Sequence, residues 1–576
     1  MSTKYKAPSS KYKDQRPKTQ VQSLCDKFPQ LLWKTLWIFW CNASIKLLLL
    51  GFLQNAHSSG VSVNSSQTLV CMHETESLTG KSSAPFAADC SCASRDQHER
   101  LHQVTAKRNE RNWSSDFGGV KPVSEVLNLR QAARDILASA LESVDAGKAV
   151  KEAVQLQDSR CTLANTTVNL NSPDSKLYVI AAGKAALSMA AALNDLLGDW
   201  IIGGVVSGPV PEPGAGGSFL DSHRWQFFAG GHPLPNQPSL DAAKACFDLL
   251  ADADRARGVV VFLVSGGGSA MLESPADDQI SLADLIEGNR LLVTCGAGIT
   301  EINAVRRAIS AVKGGRLAAR APNTTQISLI ISDTNAGDEA SVASGPTIEP
   351  PLHAPEPQAV LARYQTLADL PDSVLKAITS AAPLSRASPS TKQSRNHVVL
   401  LDNRCALEAA DREARRLGFI SEVAFDLVEL NIEEGCHALL SRLSALRAKS
   451  AGPGQPVCLI SGGEFLCPVR GNGVGGRNAE TVLRCAIKID RQSRNLSDER
   501  ETLILSAGTD GIDGNSPAAG AIADRSTLRR ARSLGLDAGS FLNNSDAFSF
   551  FDRLGDTIVT GATGTNVRDV RILLSS

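Results

Sequence analysis

A lysine and a glycine-rich loop each follow an apolar run, and their residue types suit the binding of an anion. Lys184 comes directly after "KLYVIAAG", and the loop "SGGGSA" follows "GVVVFLV". Consecutive glycines let backbone N–H groups converge on an anion, and a helix N-terminus carries partial positive charge. A solvated lysine and an empty tight turn are the alternatives. The pattern favours an anion site made by Lys184, Ser265, Gly266, Gly267, Gly268 and Ser269.

Acidic residues on glycine-containing loops follow two further apolar runs. Asp333 comes after "QISLIIS", and Asp510 and Asp513 follow "ETLILSAGT" in another loop. Carboxylates in such positions hold Mg²⁺ near phosphates or orient a hydroxyl, and they also cap helices. Asn566 adds an amide on the turn "GATGTN". These residues are candidates for a magnesium or substrate site.

The stretch "RGNGVGGRNAETVL" permits two interpretations. Gly471, Gly473 and Gly476 fit the G-x-G-x-x-G pattern of a nicotinamide-dependent dehydrogenase, here one acting on a small hydroxy acid. However, no strand that ends in Asp or Glu follows about twenty residues later to bind the ribose. Arg477, directly after the last glycine, suits instead a carboxylate or phosphoryl group, which a guanidinium holds with two hydrogen bonds. No G-x-x-x-x-G-K-[ST] pattern occurs, so a kinase would bind phosphate in another way.

Strand-like and helical stretches alternate from about residue 123 onward, beginning with the amphipathic "VSEVLNLRQAARDILASALESV". Continuous apolar strands separated by helices are typical of parallel sheets covered on both faces. We therefore expect a doubly wound α/β domain with a parallel sheet. A second, smaller α/β domain should follow a Pro/Ser-rich stretch near 383–395. Ligands in such sheets collect beyond the carboxyl ends of the strands, where the residues above lie.

Composition narrows the class of protein. Among 576 residues, 59 basic and 60 acidic side chains nearly cancel, so no overall field points to nucleic acid or an anionic membrane. The 13 cysteines include no C-x-x-C pair, which favours a reducing compartment over disulfides or structural zinc. A cytoplasmic enzyme for a small anionic substrate is expected.

Residues 1–120 differ from the rest of the chain. A basic stretch precedes an apolar segment from Leu31 to Leu53, which is long enough to span a bilayer but contains Lys34 and Lys46. A targeting presequence, a signal anchor and a wrongly assigned gene start are alternatives. We expect a disordered or targeting extension, with a mitochondrial or other organellar location as the alternative to the cytoplasm.

Eight stretches resemble, in order, the glycerate kinases that join an N-terminal kinase domain to a C-terminal MOFRL domain. They are "GKAALSMA", "GGHPLPNQPSL", "SGGGSAML", "EINAVRRAISAVKGGRLA", "SDTNAGDEASVASGPT", "SGGEFLCPVRGNGVGGRNAE", "SAGTDGIDG" and "GATGTNVRD". The resemblance implies an α/β domain at 121–384, a connecting segment at 385–455 and a MOFRL domain at 456–576. The active site would lie in the cleft between the two domains.

The resemblance also implies an activity and its cofactors. The reaction would be ATP-dependent, Mg²⁺-assisted phosphorylation of D-glycerate to 2-phosphoglycerate, with 3-phosphoglycerate as the alternative product. D-Glycerate and ATP would be the partners, and a homodimer is left open. Nucleic acid would not be a partner, nor would a membrane, apart from an N-terminal anchor.

By the same resemblance, Lys184 is the family's catalytic lysine and Arg477 the arginine of its G-G-R-N motif, with Asp333 as a third catalytic residue. The loop Ser265–Ser269 would bind phosphate. The carboxylates that could hold a metal or act as a base are Glu464, Asp333, Asp510 and Asp513, with Asn566 as a further substrate-site candidate.

A helical motif supplies further candidates. Asn303, Arg306 and Lys313 match the polar side of the family's E-x-N-x-x-R helix, and their spacing predicts one shared face. The resemblance implies that these residues bind phosphate or nucleotide. His232, in "GGHPLPNQPSL", is interpreted as part of a rigid turn.

Overall fold

The computed structural model describes residues 128–172, 176–211, 218–351, 353–381, 395–450, 455–495 and 500–576. They belong to one compact unit that spans residues 122–576. The predicted N-terminal extension lies outside the described residues, as does most of the Pro/Ser-rich stretch near 383–395. Among the residues described, none of the helices combines the length and the apolar character needed to cross a bilayer.

The helices of the described chain, in order, are α1 Leu129–Glu142, α2 Ala146–Ala153, α3 Ala186–Leu197, α4 Gln237–Ala256, α5 Gly268–Met271, α6 Leu282–Thr294, α7 Ile299–Ala308, α8 Pro357–Arg363, α9 Asp372–Ser380, α10 Asn403–Arg416, α11 Ile432–Lys449, α12 Arg477–Asn495, α13 Thr527–Ser533, α14 Ala538–Asn543 and α15 Ala547–Leu554. The strands are β1 Val154–Gln157, β2 Arg160–Leu163, β3 Thr166–Asn169, β4 Leu177–Ala182, β5 Ile201–Gly208, β6 Trp225–Ala229, β7 Val259–Ser265, β8 Thr325–Ile331, β9 Arg395–Leu401, β10 Ile420–Ala424, β11 Val457–Gly463, β12 Thr502–Gly508, β13 Gly520–Asp524, β14 Thr557–Ile558 and β15 Asp569–Ser575. Strands β1–β3 form a small antiparallel sheet.

The first large sheet has six parallel strands in the order β6-β5-β4-β7-β8-β9. Its central strand β4 is buried along its whole length. Leu177 and Val179 of β4 pack into one hydrophobic core, whereas Tyr178 and Ile180 pack into another. Helix α3 contributes to the former core and α4 to the latter. Both faces are therefore covered, which confirms the predicted doubly wound domain.

The second large sheet has the order β10-β11-β15-β12-β13-β14 and is mixed. Only β10 and β11 pair in parallel, and the other neighbours are antiparallel. The predicted smaller α/β domain is confirmed, and its sheet is mixed rather than parallel. The reason is that the last strand, β15, inserts between β11 and β12 and runs against both.

The two large sheets share one hydrophobic core, to which both contribute residues together with α1 and α10. Arg130 of α1 donates to Asp524 (2.6 Å) and Asp556 (2.8 Å) of the second domain. The predicted connecting segment holds β9, which completes the first sheet, and α10, β10 and α11, which pack with the second. The shared core packs the two sheets together, and the ion pairs of Arg130 attach α1 to the second domain.

This topology gathers the ends of distant strands. Because β4, β7 and β8 are adjacent and parallel, Lys184, the loop after Ser265, and Asp333 follow the same edge of the first sheet. In the second sheet, Asp569 at the start of β15 pairs with Gly463 at the end of β11 and with Gly508 at the end of β12.

Candidate active site

Lys184 and Asp510 form an ion pair that joins the two domains. Nζ of Lys184 lies 2.6 Å from Oδ2 of Asp510, and their side chains are 23% and 14% exposed. Lys184 follows β4, and its backbone N–H donates to the carbonyl of Gly266 (2.8 Å). The structure thus brings together two predicted residues that are far apart in the chain.

The glycine-rich loop lies against this pair. Gly267 has φ of +84°, and a Cβ there would lie 3.1 Å from Cγ of Lys184 and 3.2 Å from Cδ2 of His232. A Cβ on Gly266 would collide with the carboxylate of Asp333. Only glycine therefore lets the loop pack between Lys184 and Asp333.

The two serines of the loop face the protein rather than the cleft. Oγ of Ser265 accepts from the backbone N–H of Ala185 (3.0 Å), and Ser265 is fully buried. Oγ of Ser269 lies 2.7 Å from Oγ of Ser344, which donates to Oδ1 of Asn303 (2.9 Å). These contacts brace the loop, so its glycine backbone is the part left to meet an anion.

Asp333 lies behind the loop at the end of β8. Burial raises the pKa of its carboxyl, the positive charges of Lys184 and Arg568 oppose that rise, and Asp510 adds to it. Asn566 reaches the same place, since its Nδ2 would lie 3.0 Å from a Cβ on Gly266. Two more predicted residues therefore adjoin the loop.

Arg477 begins α12 and is held by two carboxylates. Its Nε and Nη2 donate to the two oxygens of Asp569 at 2.7 and 2.9 Å, and Nη2 lies 2.9 Å from Oε1 of Glu464. Burial opposes its charge, but Asp569 and Glu464 together raise the pKa of Arg477. Burial also raises the pKa of Glu464, against the effect of Arg477. The guanidinium fork thus faces a carboxylate of the protein itself.

Asp513 does not face the cleft. Its two carboxylate oxygens accept the backbone N–H groups of Asn478 (2.9 Å) and Ala479 (2.8 Å) in the first turn of α12. Burial raises its pKa to about 6 although these two bonds favour the charged form. The predicted metal or base candidate therefore caps a helix.

The same contacts bear on the G-x-G-x-x-G interpretation. A Cβ on Gly476 would collide with Asp513, and one on Gly473 would collide with Asp546. These two glycines are thus required by packing against the protein itself. A pyrophosphate would need unpaired N–H groups at the start of α12. Two of them, those of Asn478 and Ala479, already donate to Asp513.

The predicted polar helix face is wrong in one respect, because α7 ends at Ala308 and Lys313 lies beyond it. Lys313 forms an ion pair with Glu273, and both side chains are at most 2% exposed. Nε of Arg306 donates to Oδ1 of Asn289 (3.0 Å). A buried glutamate requires a nearby cation, so Lys313 turns inward toward Glu273 rather than toward a ligand.

Arg568 connects loops of the two domains. It donates 2.6 Å bonds to Oδ1 of Asn335, in the loop after β8, and to Oε1 of Glu429, in the loop after β10. Nδ2 of Asn335 also donates to Oε1 of Glu429 (2.9 Å). This triangle links the two domains, as the pair of Lys184 and Asp510 does.

The chain matches known families along most of the described part. Residues 132–379 match "Domain of unknown function (DUF4147)", and residues 457–569 match the "MOFRL family". The glycerate 2-kinase of Pyrococcus horikoshii is 32% identical over 451 residues, which cover 78% of this chain and 98% of that protein. The chain belongs to the glycerate kinase family.

Other proteins similar to this glycerate kinase family member are also named glycerate kinases. The glycerate kinase of Homo sapiens is 33% identical over 504 residues, covering 79% of this chain and 95% of the human protein. The crystal structure of glycerate kinase from Thermotoga maritima superposes with a TM-score of 0.63 at 30% identity, covering 78% of this chain and 99% of that one. The family resemblance and the predicted enzyme class, a kinase, are confirmed.

One relative has a different name. A protein of Agrobacterium vitis, provisionally named a hydroxypyruvate reductase, is 32% identical over 404 residues, covering 70% of this chain and 88% of that protein. The name belongs to the dehydrogenase class that the glycine pattern at 471–476 first allowed.

Two residues of the glycerate kinase cleft were missed by the sequence interpretation. Asp569, which holds Arg477, lies at the start of the last apolar run of the chain. That position, at the end of an expected strand, was the sequence signal that could have identified it. His232 was assigned to a turn, yet its ring lies beside Gly267 in the cleft. It follows β6, whose carboxyl end lies at the same edge as those of β4 and β7.

Proposed function

We propose that this protein transfers the γ-phosphoryl group of ATP to a hydroxyl of D-glycerate, giving 2-phosphoglycerate. The observation that carries the proposal is the ion pair of Lys184 and Asp510 beside the glycine loop, at the junction of the two domains. An ammonium group and a glycine backbone placed together suit a phosphate chain, since both act by charge and donated hydrogen bonds.

Each residue then has a role that follows from its position. Lys184 offsets the negative charge of the transferred group, and the backbone of Gly266–Gly268 binds its oxygens. Arg477, fixed by Asp569, presents the outer part of its guanidinium to the carboxylate of glycerate or to the moving phosphoryl group. Such a site works by positioning and charge neutralisation rather than by covalent chemistry.

Magnesium fits this site as a substrate-borne ion. The described residues contain no group of three or more His, Cys, Asp or Glu side chains arranged to hold a metal. Mg²⁺ that accompanies a nucleotide is commonly held by one or two carboxylates together with phosphates and water, so it does not need three protein ligands. Asp333 and Asp510, which influence each other's charge, are the carboxylates that would hold it. Once bound, the ion would neutralise phosphate charge.

The names of the relatives support the 2-position, since those from Pyrococcus horikoshii and Thermotoga maritima are both called 2-kinases. The contact of Asp513 with the start of α12 weighs against the dehydrogenase alternative, because it occupies the N–H groups that a dinucleotide would use. The cytoplasm is the proposed location. All eight described cysteines are free, as expected in a reducing compartment. A homodimer and an organellar location stay alternatives.

One coupled assay separates the 2-kinase, 3-kinase and dehydrogenase alternatives. The protein is supplied with D-glycerate, ATP and Mg²⁺, and the product is fed to enolase with or without phosphoglycerate mutase. A signal without mutase supports 2-phosphoglycerate, and a signal only with mutase supports 3-phosphoglycerate. NADH oxidation with hydroxypyruvate and no ATP-dependent product would contradict the kinase proposal. Lys184→Ala is the matched negative control.

A further inference from the structure

His232 lies in a turn whose backbone is held firmly. The turn connects β6 to α4, and the backbone N–H of Gly231 donates to Oδ1 of Asn236 (2.9 Å). Nδ2 of Asn236 donates back to the carbonyl of Ala229 (2.9 Å), and Asn236 also caps α4 together with Ser239. These bonds account for the predicted rigid turn without using the imidazole. The ring is therefore available for another task.

The ring of His232 lies in the cleft among charged groups. It adjoins Gly267 and, through it, Lys184, and the residue is exposed to solvent. The groups that face it are the cations Lys184 and Arg306 and the carboxylate Asp510. Although the residue keeps contact with solvent, desolvation by the surrounding protein, followed by Lys184, lowers the pKa of the ring to about 4, with Asp510 opposing and Arg306 adding to the effect. At neutral pH the imidazole is uncharged, with one N–H and one nitrogen lone pair.

The cleft is rich in donors, and two of its carboxylates, those of Asp510 and Asp569, already accept from the protein. The side chains of Lys184 and Arg306 can only donate hydrogen bonds, and the glycine loop adds backbone N–H donors. Asp510 accepts from Lys184 at 2.6 Å, and Asp569 accepts from both Arg477 and Asn478. Anionic oxygens need donors, but a hydroxyl that attacks phosphorus needs an acceptor for its proton. Of the groups beside the glycine loop, the ring nitrogen of His232 is a neutral acceptor.

We propose that the imidazole of His232 accepts a hydrogen bond from the substrate hydroxyl that receives the phosphoryl group. This inference rests on the proposed kinase function and names the residue that function left open. It leaves Asp333 and Asp510 for the ion that accompanies the phosphates.

The step balances without any further reactant. A lone pair of the hydroxyl oxygen forms the new bond to the γ-phosphorus, and the bond from that phosphorus to the bridging oxygen breaks, which releases ADP. The hydroxyl proton passes to the ring nitrogen of His232 and then to water. The negative charge of the bound nucleotide favours the imidazolium for the duration of the step, because an opposite charge within about 4–6 Å raises the pKa of a base.

Two variants and a chemical rescue test the proposal. His232→Ala should lower kcat about 10²- to 10⁴-fold, the range for losing a general base, with the KM for ATP nearly unchanged. Added imidazole should restore part of the rate of His232→Ala, which a residue that only shapes a turn would not allow. His223→Ala, at an exposed histidine before β6, is the matched control and should behave as the wild type. Melting temperature and ATP binding by calorimetry show that the variant is folded.

The outcomes separate this inference from the proposed function. If the wild type phosphorylates D-glycerate and folded His232→Ala keeps its kcat within about threefold, the inference alone fails. A loss of kcat that imidazole does not restore, while Asp333→Asn shows the larger loss, transfers the acceptor role to Asp333 and also overturns it. If the wild type has no kinase activity, both proposals fall together.

Discussion

Nζ of Lys184 and Oδ2 of Asp510 lie 2.6 Å apart, although 326 positions separate the two residues in the chain. The first follows the central strand of the parallel sheet, and the second follows a strand of the mixed sheet. The pair therefore shows that the two domains are in contact at the cleft. A phosphate chain that enters there would compete with Asp510 for the same ammonium group.

Loss of this ammonium group should impair chemistry more than folding. Lys184→Ala is expected to lower kcat by about 10²- to 10³-fold, the scale for removing one preorganised charge contact. The melting temperature should stay close to that of the wild type. Lys151→Ala, which removes a solvent-exposed pair with Asp195, is the control. A near-normal kcat for Lys184→Ala would return this residue to the role of a surface lysine.

Arg477 should not tolerate lysine. Lysine keeps the charge but cannot bridge both oxygens of Asp569 and reach Glu464 as the fork does. We expect kcat/KM to fall about ten- to a hundred-fold for Arg477→Lys, equivalent to about 1.5–3 kcal/mol, and further for Arg477→Ala. Asp569→Asn should reproduce much of the loss if Asp569 positions the guanidinium. A silent Arg477→Lys together with tight NAD(P) binding by the wild type would support the dehydrogenase interpretation.

Lys313 should matter for stability rather than for phosphate binding. Lys313→Met leaves Glu273 buried without its cation and should cost about 3–5 kcal/mol of unfolding free energy, measured by urea denaturation. The double variant Lys313→Met/Glu273→Gln should recover part of that loss. Normal stability together with a raised KM for ATP would instead support the original assignment to the nucleotide site.

Turnover should depend on a divalent cation. Excess chelator is expected to abolish phosphorylation of D-glycerate, and added Mg²⁺ should restore it, because the phosphate charge needs more than Lys184 to neutralise it. Asp333→Asn should raise the concentration of Mg²⁺ needed for half-maximal rate. Full turnover in excess chelator would refute the magnesium assignment.

His232 should make the fold sensitive to mild acid. Its pKa is lowered in the folded protein from 6.5 to about 4, so the unfolded chain binds more protons between these values. The contribution of this histidine to stability is therefore complete at neutral pH and falls as the pH drops from about 6.5 toward 4. The melting temperature of His232→Ala should decline less than that of the wild type over this window, whereas His223→Ala should follow the wild type. Parallel declines of all three proteins would contradict the shift.

The amino-acid sequence by itself indicated the strands β4, β7 and β8 of the first domain and the residues that follow their ends. A continuous apolar run bounded by polar or glycine residues is a local property, so β4, β7 and β8 could be predicted from neighbouring residues alone. Lys184, Gly266 and Asp333 were found because a parallel sheet places its carboxyl ends at one edge. The order of eight family motifs then indicated the enzyme class.

The tertiary structure alone decided the partners of these side chains. The antiparallel insertion of β15 brings Asp569 to Arg477, and no periodicity in the sequence encodes a pairing between positions about ninety residues apart. Lys313 pairs with Glu273 because a buried carboxylate needs a nearby cation. Asp513 binds the start of α12 because the first N–H groups of a helix lack partners within the helix. Long-range packing determines those encounters, whereas local patterning indicates only which stretches form strands and helices.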